Sequence, residues 1–257
     1  MQWHHDMYGQ RFFLAMAVVL ISQAQVNGND PARPNDRNAM ISSLISTNQP
    51  PELIKNTDKV LLRYGVSRLP LFPARFDWAN QGEIRAAVVK LGRDESILMF
   101  DELLRHINDT RYCITILKGS GDPENYSVGK MCRDLARGKL VGAFQDDLGL
   151  DDRYLPARIP YGKGEFSDLV KWREKRPTLT LAELQIEVGQ LTLDAIPNAP
   201  HLSEDRKVAI RVQIQRKIDT IKSTGKPITV HFWKDSFSTF TPKQANEIRE
   251  HAYRHFR

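Results

Sequence analysis

Cysteine is scarce in this chain, 2 of 257 residues. That is too few for the multi-bridge scaffold of small secreted domains, so a buried core must hold the fold. Long apolar runs are scarce as well. The one that exists is Phe12–Ile21, and no second run is long enough to cross a bilayer. No Gly-x-Ser-x-Gly elbow occurs, and Ser43, Ser120, Ser127 and Ser236 fall in helix, turn or cap contexts. These absences exclude a disulfide knot, a multi-span membrane protein and an α/β-hydrolase. What remains is ordinary globular composition, 41% hydrophobic and 26% charged. The length allows one large domain or two small lobes.

The single apolar run reads as an export signal. Arg11 precedes it, and its ten residues span about 15 Å as a helix, half of a bilayer core. Ser22 and Ala24 fit the −3 and −1 positions of a cleavage site, although Asp6 offsets Arg11 in the flank. The predicted organisation is a signal peptide over 1–24, a flexible linker over 25–36 and a helical domain over 37–257. The Pro- and Gly-bearing stretch 149–165 marks an optional boundary between lobes at 37–148 and 166–257. The expected destination is periplasmic or extracellular, with no transmembrane segment in the mature form.

An oxidising destination changes how Cys113 and Cys132 read. With 18 residues between them, a disulfide would stabilise by about 3 kcal/mol in the chain-entropy model. The alternative is two buried thiols acting as small hydrophobes. Asn108-Asp-Thr110 and Asn125-Tyr-Ser127 match the glycosylation acceptor pattern, which has meaning only for a eukaryotic source.

Helical periodicity dominates the rest. Ile84, Ala87, Val88 and Leu91 share one helix face, opened by Asp77 or Gly82-Glu83 and ended by Gly92. Asp94 is expected to cap the next helix, with Ile97, Phe100, Leu104 and Ile107 as its buried stripe. Thr180-Leu-Ala-Glu183 is a capping box. Behind it Leu181, Leu184, Val188 and Leu191 form one stripe, with Ile186 and Leu193 on the other side, as in a sandwiched helix. Ser203 caps a long helix with the stripe Ile210, Ile214, Ile218 and Ile221, ended by Gly225. Thr241-Pro-Lys-Gln244 opens the last one. Strand signals are confined to Arg111–Leu117 and Pro227–Trp233, which either pair or serve as extended connectors. The predicted class is mainly α: an antiparallel bundle or irregular helical array with at most two short strands.

Charge is uneven along the chain. Arg206–Arg257 carries 12 Lys/Arg against 4 Asp/Glu, a net of +8, leaving 25 against 27 in residues 1–205. An anionic partner is therefore sought in the C-terminal quarter. Rings interleave with cations there, and Trp233, Lys234, Arg249 and Arg254 are the candidate ligand-binding residues. The bland reading is core aromatics and a solvated basic face. Glu247, His251 and His255 are spaced to share one helix side, and with His231 or His201 could ligate zinc. Measured from the apolar face (Ala245, Ile248, Ala252, Phe256), His255 lies about 65° away, His251 about 105° and Glu247 about 145°. The series turns towards water, so no cofactor is expected, zinc being the one to test for. A Cys113–His106 nucleophile pair would lose its thiol to a disulfide. Asp146-Asp147 and Asp151-Asp152 read as solvated turns, and Lys118–Pro123 is too short for a phosphate loop.

Glu83–Leu91 followed by Leu103–Asp109 resembles a single HEAT-type helix pair, over residues 77–112 only. The runs Arg111-Tyr-Cys113 and Asn125–Cys132 are similar to stretches of exported bacterial proteins without assigned function. Together these resemblances imply helical packing and partner binding, and no chemistry. The expected function is an exported, non-enzymatic domain binding a protein or an anionic cell-envelope polymer, with nucleic acid disfavoured. The rivals are an exported metal-assisted hydrolase and a structural subunit of an envelope assembly.

Overall fold

Periodic apolar residues become helix where a side chain satisfies the first turn's orphan N–H groups. A computed structural model of the chain describes residues 34–57, 62, 66–118, 122–144, 169–199, 202–230 and 237–255. The expected signal peptide, most of the linker and the stretch 149–165 lie outside the described residues. In chain order the described elements are α1 (Pro34–Ser42), β1 (Glu52–Lys55), β2 (Arg68–Leu71), α2 (Trp78–Arg93), α3 (Ile97–Arg105), β3 (Tyr112–Lys118), β4 (Pro123–Ser127) and α4 (Val128–Val141). There follow α5 (Leu169–Glu174), α6 (Leu181–Ala195), a 3-10 turn (Ile196–Asn198), α7 (Glu204–Thr224), β5 (Phe237–Thr239) and α8 (Pro242–His255). The chain is mainly helical. The first described helix, α1, begins at Pro34.

The caps explain most of the boundaries. Asp77 opens α2 by accepting from the Asn80 amide at 3.0 Å. Ser96, not Asp94, caps α3: its hydroxyl accepts from Met99 N at 3.1 Å, while the Asp94 carboxylate receives the Ser96 amide and hydroxyl. Thr180 and Glu183 complete the reciprocal capping box of α6. Ser203 opens α7, and Gly225 ends it with φ +65°, a left-handed conformation that favours glycine. Gly92 does not end α2. It stays inside the helix, because the Lys139 ammonium from α4 reaches the carbonyls of Leu91 at 2.7 Å and Gly92 at 3.1 Å, and also that of Asp94.

The described strands are short. β1 and β2 form an antiparallel hairpin, and β4–β3–β5 an antiparallel three-stranded sheet. Arg111–Leu117 becomes β3 almost as predicted. Its partner in the C-terminal quarter is Phe237–Thr239, with Ile116 opposite Thr239, and not Pro227–Trp233. Residues 227–230 have no regular structure, and 231–233 lie outside the described residues. A buried side chain explains why 227–230 is a connector. Gln185 on α6 accepts from Ile228 N at 2.8 Å and donates to Ile228 O at 3.1 Å and Lys139 O at 2.7 Å. The amide group thus supplies the pairing that a neighbouring strand would otherwise give.

One aliphatic core runs from Ile41 to Ile221, drawing on residues either side of 149–165. Residues 33–257 form one compact unit. α4 is central, packing against α2, α3, α6 and the β3–β4 pair. The two helices of the HEAT-like stretch therefore each pack chiefly on α4. α6 is sandwiched between α4 and α7, and its backbone passes close to its neighbours at Gly189, where a Cβ would meet Phe144 and Ile218 within 3 Å. The α6 stripe is corrected at one position: Leu191 is exposed and Thr192 takes the buried place, its hydroxyl bonded to Val188 O at 2.7 Å. Among the described residues, no helix is long and apolar enough to cross a membrane.

Candidate functional site

The basic C-terminal quarter is built from two helices with different seats. α7 inserts Ile210, Ile214, Ile218 and Ile221 into the main core and leaves its other faces in water. Between Arg206 and Ile218 it carries five cations, Arg206, Lys207, Arg211, Arg216 and Lys217, and no carboxylate. Lys207 is committed locally, donating to Glu204 at 2.8 Å and to the Pro197 carbonyl at 3.2 Å. Arg211 and Arg216 are exposed, with the exposed valines Val208 and Val212 between them.

α8 rests on a separate aromatic cluster. Phe72, Phe76 and Trp78, beyond β2 and at the start of α2, meet Phe240 and the buried Ala245. The ring centroids of Phe72 lie 4.9 Å from Phe76, 4.9 Å from Trp78 and 5.4 Å from Phe240, in tilted and edge arrangements that complement ring quadrupoles. Arg249, a sequence candidate for ligand binding, donates to the Phe72 carbonyl at 2.9 Å and so serves the packing of α8. Glu247, a candidate metal ligand, is exposed and faces Lys243 at 3.9 Å. Trp233, Lys234, His231 and His201 lie outside the described residues, as do the side chains of His251, Arg254 and His255. Among the described residues, no group of three His, Cys, Asp or Glu side chains is placed to hold a metal.

Of the two readings the sequence leaves open, Cys113 on β3 and Cys132 on α4 stand as free, buried thiols. Both act as small apolar core residues. Burial pushes both thiols up, Cys132 to about 12, with the Asp109 and Glu102 carboxylates adding to its shift. A thiol that resists ionisation is a poor nucleophile. His106 gives no help, as its Nε2 lies 3.2 Å from Glu102, which also accepts from Arg105 at 2.6 Å. Of the two glycosylation patterns, Asn125 uses its amide nitrogen on the Pro51 carbonyl at 2.8 Å, whereas Asn108 is exposed.

Ser127-Val-Gly-Lys130 has the Ser-x-x-Lys spacing of acyl-transfer enzymes and stands at the N-terminus of α4. Its geometry serves the fold instead. Ser127 Oγ caps the helix by accepting from Lys130 N at 3.1 Å. The Lys130 ammonium pairs with Glu124 and lies 4.5 Å over the Tyr126 ring. An ammonium held by a carboxylate is not the neutral base that a serine nucleophile needs. Ser223 and Lys226 repeat the spacing at the end of α7, where the Ser223 hydroxyl donates to Thr220 O at 3.0 Å.

Among the described residues Lys139 is the most perturbed cation, its pKa lowered by burial to about 8 against the pull of Asp94 and Glu95. All three contacts of its ammonium are main-chain carbonyls, so it clamps the end of α2 and offers no open face to a ligand. Sequence periodicity could not single it out, because a lysine on an apolar stripe reads as a snorkelling side chain. Comparison with protein-family models, curated proteins and solved structures finds no match to the chain.

Proposed function

We propose that this chain is an exported, non-enzymatic helical domain that binds an anionic partner through the outward face of α7. The carrying observation is the run from Arg206 to Ile218, with five cations and no carboxylate, on a helix anchored by one stripe alone. A fixed array of one sign raises the local concentration of counter-charged ligands and speeds their encounter. The helix is rigidly seated, so presenting Arg211 and Arg216 costs no reorganisation of the core. Export rests on Phe12–Ile21 and the Ser22/Ala24 site.

Two measurements test the two halves. Purified protein should bind poly-L-glutamate at low ionic strength and release it as salt rises past about 0.15 M, where screening acts within about 8 Å. Salt-independent binding, or none, would remove the cationic surface from the account. For export, the mass of the chain recovered outside the cytoplasm should match a start at Gln25. An intact N-terminus on chain confined to the cytosol would end that half.

A further inference from the structure

Resting on the reading of α7 as the binding face, we infer that its occupant is a protein, through a helical segment that carries acidic side chains either side of a short apolar ridge. The centre of the buried stripe (Ile210, Ile214, Ile218, Ile221) fixes the angular reference. At about 100° per residue, Val208 lies about 125° from that centre and Val212 about 165°. Both point to solvent, 55% and 45% exposed. One turn apart, they form a continuous ridge. Arg211 stands on one flank of it and Arg216 on the other, both exposed.

The apolar pair selects among anionic occupants. A polymer or headgroup layer that engages charge alone buries nothing on Val208 and Val212. Two β-branched residues on a solvent face also lower helix propensity. An amphipathic helix supplies both components, an apolar side chain against the valines and carboxylates towards the arginines. The carboxylates of α7 on this side, Glu204, Asp205 and Asp219, stand at the two ends of the ridge, Glu204 paired with Lys207 at 2.8 Å and Asp219 held by Gln215 at 2.9 Å. The partner's acids therefore register opposite the middle turns. A second copy of this chain fits poorly, because antiparallel pairing about Val212 sets Arg211 against its mate and like charges oppose.

The test titrates the full chain with three probes: a synthetic helical peptide with leucines at i and i+4 flanked by glutamates, poly-L-glutamate of equal charge, and phosphatidylglycerol vesicles. The peptide should bind at least about tenfold tighter than poly-L-glutamate, a difference within reach of burying two valines. Val208→Ser/Val212→Ser should erase that advantage while leaving poly-L-glutamate binding and the melting temperature unchanged. A peptide no tighter than poly-L-glutamate overturns the protein assignment and leaves the cationic face standing. Tighter binding to vesicles than to peptide, or a concentration-dependent dimer abolished by the same variant, also overturns it. Failure of all three probes removes both this inference and the reading beneath it.

Discussion

α7 and α8 share the basic C-terminal quarter, yet their cations do different things. α8 commits Arg249 to the Phe72 carbonyl, sets Lys243 near Glu247 and buries Ala245 among aromatic rings. α7 anchors itself with four isoleucines and leaves Arg211 and Arg216 in water. Net charge counts both helices alike. Only the packing separates cations that hold the fold from cations that face outwards.

The comparison can be broken first at the anchors. Ile214→Ala removes a fully buried side chain from the main core and should destabilise by about 3 kcal/mol. Because that core is continuous from α1 to α7, chemical denaturation should remain one transition at a lower midpoint. A loss confined to α7 would contradict the single core. Phe72→Ala should cost about as much locally, but its cluster is separate from the main core. Hydrogen exchange should then rise in α8 while α6 stays protected. Equal loss of protection in both helices would merge the two cores.

Lys139 sharpens the picture by a smaller amount. Lys139→Met leaves the carbonyls of Leu91, Gly92 and Asp94 without their donor and should cost about 2 kcal/mol at neutral pH. The pH dependence has a definite sign. The folded pKa, about 8, lies below the ordinary 10.5. Above pH 8 the unfolded chain therefore holds more protons, and stability from this group rises as pH climbs towards 10.5. The gap between wild type and Lys139→Met should widen over that window, by up to about 3 kcal/mol. A gap that narrows there would show that burial does not lower this lysine.

Much of the helical framework was legible because its signals are local. Thr180/Glu183, Thr241/Gln244, Ser203 and Gly225 fix their helix ends through contacts three or four residues away, and the α7 stripe follows from periodicity alone. The errors lie where distant groups decide. α2 runs through Gly92 because of Lys139, 47 positions on, and 227–230 is a connector because Gln185, 43 positions back, bonds Ile228. The short strands β1, β2 and β4 lack the β-branched alternation that betrayed β3, and pairing across the chain makes them strands. At the candidate site, composition located the quarter. Which arginines face water came only from the seats of the two helices.

The most direct test of that distinction compares charge reversal on the two helices. Arg211→Glu/Arg216→Glu and Lys243→Glu all alter exposed side chains, so each protein should melt within about 0.5 kcal/mol of wild type in stability. Titrated with poly-L-glutamate at low salt, the α7 variant should lose at least about tenfold in affinity, and the α8 variant about twofold or less. Equal losses, or a larger loss from α8, would contradict the assignment of the binding face to α7.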